Sequence, residues 1–206
     1  MADAFNTLGT PELLALAGAL GWASGFRLYA VVFIVGLAGA LGWMELPPGL
    51  QALQHPVLLG AAGFMLFVEF FADKIPVVDS LWDMLNSVVR IPAGAALAAG
   101  VFGADSGTMA LAAALLGGSL AATSQAAKTT TRAAINSSPE PFSNVGMSLV
   151  EDGLVVGAVW LATQHPVVFV ILLAITVVLM WIATWLLFQF LRAVFRRARS
   201  FFTATV

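Results

Sequence analysis

The chain has no cysteine, two histidines and few charges: nine Lys or Arg and eleven Asp or Glu in 206 residues. Without cysteine there is no disulfide, no thiolate nucleophile and no cysteine metal site, and nothing indicates a redox compartment. Charged residues are 10% of the chain, against about 25% in an ordinary soluble domain. The net charge of −2 leaves no basic excess, which excludes a nucleic-acid partner. No Lys or Arg precedes Arg27, so the charged start of a secretory signal is missing and the first apolar stretch is expected to be retained. Also missing are a phosphate loop, a dinucleotide fingerprint, a nucleophile elbow and an HExxH zinc motif. No cofactor is expected.

What the chain does have is apolar sequence. Hydrophobic residues make up 60% of it before the 19 glycines are counted, and the mean hydropathy is +0.95. A chain this short cannot hide so many apolar side chains in one globular core, because small domains leave much of their surface wet. The solvent is therefore a lipid bilayer. At about 20 residues per span, the length allows about six crossings in a single transmembrane domain covering residues 1–206.

Six apolar runs are present. The first, Leu13 to Met44, is too long for one ~30 Å crossing at ~1.5 Å per residue. It is expected to divide into a short helix (11–20), a break at Gly21 to Gly25 (GWASG) and a span over about 26–44. Further spans are expected at 57–72, 88–104, 108–127, 145–163 and 166–191. The 108–127 span runs on through Lys128 and Arg132. A short interfacial helix is expected around 77–83, and a loop dense in turn formers at 136–144, with Pro139 and Pro141 as plain punctuation. The tail, 192–206, holds Arg192, Arg196, Arg197 and Arg199 and reads as an interfacial segment on anionic lipid headgroups.

With that tail in the cytoplasm, six spans place eight of the nine basic residues on the cytoplasmic side and none in the outer loops, as the positive-inside rule requires. Arg27, at the start of the first span, is the ambiguous one. Both ends are then cytoplasmic. The fold class is all-α: a polytopic membrane protein of about six transmembrane helices with broken or re-entrant segments. A weak internal repeat relates spans 1–2 to spans 5–6. The tetrad QHPV opens both the second span (Gln54 to Val57) and the sixth (Gln164 to Val167), and internal repeats are common in transporters.

Three motifs carry a resemblance: GWASGFRLY from Gly21 to Tyr29, VEFFADKIP from Val68 to Pro76 followed by DSLWD from Asp79 to Asp83, and NSSPEPFSN from Asn136 to Asn144. Over roughly residues 15–190 the chain resembles a bacterial integral-membrane family catalogued as domain-of-unknown-function family 4126. The resemblance implies a polytopic protein of the inner membrane and carries no activity or functional residue with it.

The placement of charge is the informative feature. A charge at bilayer depth costs on the order of 2.5–3.5 kcal/mol, so it faces a partner or a watery cavity. Glu69 and Asp73 are four apart and share a helix face; so do Asp79 and Asp83, and so do Lys128 and Arg132. With Arg27, Glu151 and Asp152 they converge on the cytoplasmic half. Arg27, Glu69, Asp73, Lys128, Arg132, Glu151 and Asp152 are the candidate residues for binding a solute or ion in a water-accessible cavity. For Asp79 and Asp83 the structural reading is preferred, as ion pairs fixing register or as caps of an interfacial helix. Metal binding by Glu69, Asp73, Asp79 and Asp83 has the right hard-cation chemistry, but Lys74 among them argues against a dedicated site. His55 and His165 read as solvated turn residues. Gly153 and Gly157 form a small-xxx-small motif for packing within the fold or between protomers, so a homo-oligomer is an open option.

These features favour a transporter of an unidentified small solute or ion, with the charge cluster as its site, over an enzyme. The alternatives are a membrane-embedded enzyme or lipid-handling protein at the inner leaflet, and a scaffold subunit whose charges hold a partner. The outer halves of the spans carry almost no polar residues, which suits an alternating-access carrier better than an open channel.

Overall fold

Proline stands in the first turn of five of the six α-helices, where its missing N–H costs nothing and its fixed φ suits the helix. The computed structural model describes residues 9–103, 106–136 and 141–203, so Pro139, Glu140 and the last three tail residues lie outside the described residues. The elements are α1 (Thr10–Ala40), a 3₁₀ helix (Pro48–Gln54), α2 (Pro56–Ala72), α3 (Pro76–Phe102), α4 (Gly107–Ile135), α5 (Pro141–Gln164) and α6 (Pro166–Thr203). His55 caps α2 by accepting from the Val57 N–H at 3.3 Å, and His165 occupies the equivalent place before Pro166. Gly42 and Gly103, with φ of 73° and 69°, end the helical paths of α1 and α3 in a conformation that suits glycine.

Five helices are long and apolar enough to cross a membrane, and the 3₁₀ helix with α2, bent by 69°, makes a sixth candidate. Their outward faces are apolar: Phe67, Val88, Leu115, Val156, Ile182 and Trp181 are all exposed. This is a multi-pass, all-α membrane protein whose exposed surface is solvated by lipid. Two expected elements merge: the interfacial helix at 77–83 and the span at 88–104 are one helix, α3, which passes through Pro92 without ending. The tail likewise continues α6 through Thr203.

The central element is α1, and it is broken. Arg27 has φ −147° and ψ 82°, and the helix is regular on either side. The break therefore falls two residues beyond the glycine cluster where it was expected. Contacts give the direction of each arm. Along 10–26, Gly18 lies against Phe169 and Leu173 near the start of α6, Gly21 against Gly117 of α4, and Gly25 against Ala121 and Ser124. Past Arg27 the chain turns back. Phe33 meets Gly63, Gly36 meets Leu53 and Leu59, and Gly39 meets Leu46 and Gln54. The 3₁₀ helix in turn touches α3 near its end, through Gly49 and Gly100. Both arms thus lie on one side of Arg27, and α1 is a re-entrant hairpin with Arg27 at its apex. The expected span over 26–44 is replaced by this arrangement, and the short helix expected at 11–20 is its first arm.

The hairpin is buried almost all round, from Ala15 to Val31 and again at Val35 and Gly36, which is what uniform rather than amphipathic hydrophobicity demands. Its glycines serve close approach. A methyl group on Gly21 would stand 2.5 Å from the Gly117 Cα, and one on Gly117 would stand 2.9 Å from the Gly94 carbonyl, so α1, α3 and α4 meet backbone to backbone. A methyl group on Gly153 or Gly157, by contrast, would meet nothing within 4 Å among the described residues.

Candidate functional site

Four helices present charged or polar groups at spacings of three, four and seven, which keeps each set on one face. From the end of α2 come Glu69 and Asp73; from α3, Asp79, Asp83 and Arg90; from α4, Gln125, Lys128 and Arg132; from α5, Asn144, Ser148 and Glu151. The apex of α1 adds Arg27. All of these are buried, and they join in one network.

Arg27 pairs with Asp73, donates to Ser148, and reaches Glu151 at 3.6 Å and Asp152 at 3.0 Å through Nε. Arg90 pairs with Glu69 and donates to Asp83 at 2.8 Å and Gln125 at 2.9 Å. Lys128 lies 3.1 Å from Asp83, 3.1 Å from Glu151 and 3.8 Å from Glu69. Arg132 grips both oxygens of Glu151, at 3.1 and 3.3 Å, and lies 3.5 Å from Asp79 and 3.7 Å from Asp73. A polar layer extends the network toward the α4–α5 end: Asn136 donates to Asp79 at 3.3 Å and accepts from Asn144 at 2.8 Å.

The break in α1 is part of this site. Non-helical backbone at membrane depth persists only where protein or water satisfies it. Here Ser124 donates to the Trp22 carbonyl at 2.7 Å and Lys128 to the Phe26 carbonyl at 3.1 Å. These two residues are four apart on α4, so one helix face holds the apex in place.

Depth follows from helix lengths. Arg27 is thirteen residues from Ala40, Glu69 thirteen from Pro56, Arg90 twelve from Phe102 and Glu151 thirteen from Gln164, about 20 Å of helix in each case. Apart from Asp152, next to Glu151, no charged residue occurs in those stretches, nor in 107–127. The molecule has a charged end, where α2 turns into α3 and α4 into α5, and a far end that carries no Lys or Arg.

The charges do not balance. Glu69, Asp73, Asp79, Asp83 and Glu151 are fully buried, and Asp152 is 37% exposed at its side chain. Against these six carboxylates stand four cations: Arg27, Arg90, Lys128 and Arg132. One oxygen each of Asp73, Asp79 and Asp83 lies within 4.8 Å of the others, an arrangement with metal-ligand chemistry.

All seven candidate residues read from the sequence meet here, with Asp152 at the rim. Three points differ from expectation. Arg27, Glu69, Asp73 and Glu151 were expected around a water-accessible cavity; they are fully buried and take one another or neighbouring network residues as partners. A cavity of about 420 Å³ adjoins the network between α1, α2 and α5, and of the charged residues only Arg27 and Asp152 line it. Asp79 and Asp83 take the first of the two structural readings, buried ion pairs, and not the second, caps of an interfacial helix; they are members of the network, together with Arg90. Their spacing (Asp83 and Arg90 are two helical turns apart) was the signal that could have found them. Lys74 stands outside, its ammonium 3.5 Å above the centre of the Phe70 ring.

No curated protein and no solved structure matches the chain. Residues 14–188 match the family described as Domain of unknown function (DUF4126), and with most of the chain so covered, this protein belongs to that family.

Proposed function

We propose that the protein is a transporter of a small solute or ion in the bacterial inner membrane, with the buried ion network beneath the α1 apex as its binding site. The observation that carries this reading is the network itself: six carboxylates against four cations, gathered at the tip of a broken helix. Discontinuous helices that meet at charged centres are a common way of building ion and solute sites in carriers. About 20 Å of uncharged helix separates the site from the far end, which suits a carrier closed on that side rather than an open channel. The arginines of α6 set the charged end toward the cytoplasm. In that orientation every basic residue, Arg27 included, belongs to the cytoplasmic half. The first residue of α1 then lies on the outer face, opposite the arginines of α6, instead of both ends being cytoplasmic. Gly153 and Gly157, open on the surface of α5, are available for pairing between protomers.

The test is ion flux in proteoliposomes, with a pH-sensitive dye inside and imposed proton or Na⁺ gradients. Wild type is expected to pass ions faster than Glu69→Gln; equal rates in the two overturn the reading.

A second reading, lipid handling at the cytoplasmic leaflet, draws on the 420 Å³ cavity. Its walls are Ala30, Ile34, Leu66, Phe67 and Val156, and its polar end is Arg27, whose Nη1 has no hydrogen-bond partner among the described residues. Co-purified phospholipid that is lost on Val156→Trp would favour it.

A further inference from the structure

The excess of carboxylates is not spread evenly. Every ion pair to Asp73 uses Oδ2, and every ion pair to Asp83 uses Oδ1. Asp73 Oδ1 and Asp83 Oδ2 are buried with no hydrogen-bond partner among the described residues, and so are Asp79 Oδ1 and Glu69 Oε2. The closest cation to Asp79 Oδ1 is Arg132, at 3.5 Å and without hydrogen-bond geometry. A fifth unpartnered oxygen is not a carboxylate at all. Asn144, 1% exposed, is hydrogen-bonded to Asn136, which bonds Asp79, and its own Oδ1 is unsatisfied. Buried oxygens normally have partners. Three of the five without one belong to Asp73, Asp79 and Asp83, which each offer an oxygen within 4.8 Å of the others. Four nitrogens, Arg27 Nε and Nη1, Arg90 Nε and Trp82 Nε1, lack a partner too, and it is the surplus of negative charge that points to a cation.

We infer that Asp73, Asp79 and Asp83, with Asn144 linked to them through Asn136, form a binding site for a hard cation: Na⁺, Mg²⁺ or Ca²⁺. The donors are all oxygen, which selects hard ions over soft ones. Lys74 is the basic residue that the sequence places among these acids, and it does not occupy the site, because its ammonium rests on Phe70. Arg132 borders the site through its two loosest pairs, to Asp73 and Asp79. An incoming cation therefore competes with Arg132 and pushes it toward Glu151, which it already holds through two nitrogens. A divalent ion would bring the six carboxylates and four side-chain cations to neutrality, and a monovalent ion would neutralise the five fully buried ones. This site deepens the transport reading and rests on it for its role, but its occupancy can be measured without transport.

The experiment is thermal unfolding of the full chain in detergent, titrated with NaCl, MgCl₂ or CaCl₂ at ionic strength held constant with choline chloride. A ligand that binds the folded state raises Tm in a saturable way, and the salt that does so at the lowest concentration identifies the ion. Asp79→Asn removes one surplus charge while keeping the shape that meets Asn136. It is expected to raise Tm in choline alone and to lose most of the cation response. If this variant does not fold, Asn144→Ala, which adds no charge, is expected to weaken the response at least several-fold. A flat Tm in all three salts, or an undiminished response in the folded variants, overturns the site. Flux in proteoliposomes separates the two ideas: flux without any cation response refutes the site alone, and a cation response without flux refutes transport alone.

Discussion

The ammonium of Lys128 stands 3.1 Å from the main-chain oxygen of Phe26, the last residue before the break in α1. The same ammonium lies 3.1 Å from Asp83 and from Glu151. One side chain from α4 therefore closes the broken backbone of α1 and draws α3 and α5 onto it.

Replacing Lys128 by Met should be severe. It would leave the Phe26 carbonyl without its donor and raise the negative surplus from two to three. Removing one partner of a buried pair costs about 3–5 kcal/mol. The expected outcome is a large loss of folded, monodisperse protein on gel filtration, with Lys128→Arg recovering part of it. Unchanged yield and Tm for Lys128→Met would contradict the role assigned to it.

The two glutamates should differ. Glu151 faces three cations, Arg27, Lys128 and Arg132, whereas Glu69 faces Arg90 and Lys128, both of which keep Asp83. Glu69→Gln removes surplus charge and is expected to fold with Tm near that of wild type. Glu151→Gln leaves Arg132 only its looser pairs to Asp73 and Asp79, and should lose roughly 3–5 kcal/mol. Chemical unfolding of the two variants side by side decides it, and equal losses would show that partner number does not govern stability here.

Glycines at helix crossings should tolerate no side chain. Gly117→Val puts its new carbons into Gly94 and Ala98, and overpacking of this kind costs ~1–3 kcal/mol, or more against backbone. Gly60→Ala meets nothing within 4 Å and should stabilise α2 by roughly 0.5–1 kcal/mol through helix propensity. A Tm for Gly117→Val at or above that of wild type would show that the three helices do not meet as described.

The re-entrant hairpin gives a labelling pattern. In intact cells, an impermeant thiol reagent should modify Thr10→Cys and Glu45→Cys alike, because both positions lie at the far end. Arg196→Cys, at the other end, should react only after permeabilisation. Labelling of Glu45→Cys without Thr10→Cys would place the two arms of α1 on opposite faces and refute the hairpin.

Much of this was legible in the residues themselves. Composition alone demands a bilayer, since 60% hydrophobic residues in 206 have no other place to go. Proline and the QHPV tetrads mark helix starts because their chemistry is local: a fixed φ, a missing N–H, a side chain reaching two residues on. The acid and base pairs were visible too, because spacing of three or four sets a common helix face whatever the helix packs against.

The bend in α1 was not legible, because glycine serves two purposes. Gly21 and Gly25 look like a flexible joint in sequence, but they are the points where α4 touches the regular first arm of α1. The joint is Arg27, a residue with no intrinsic preference for breaking a helix. It is held there by Asp73, Ser148 and the donors of α4, contacts that span 46 to 121 residues of chain. The partners of each charge were likewise undetermined. Periodicity puts a carboxylate on a face, and only the packing of five helices chooses which cation meets it and which oxygens are left without one. What the sequence by itself determined is that charge had to be buried near one end of the membrane. The tertiary structure decided that it is gathered around a broken helix with two more carboxylates than cations, because ion pairing depends on distance in space and not on distance along the chain.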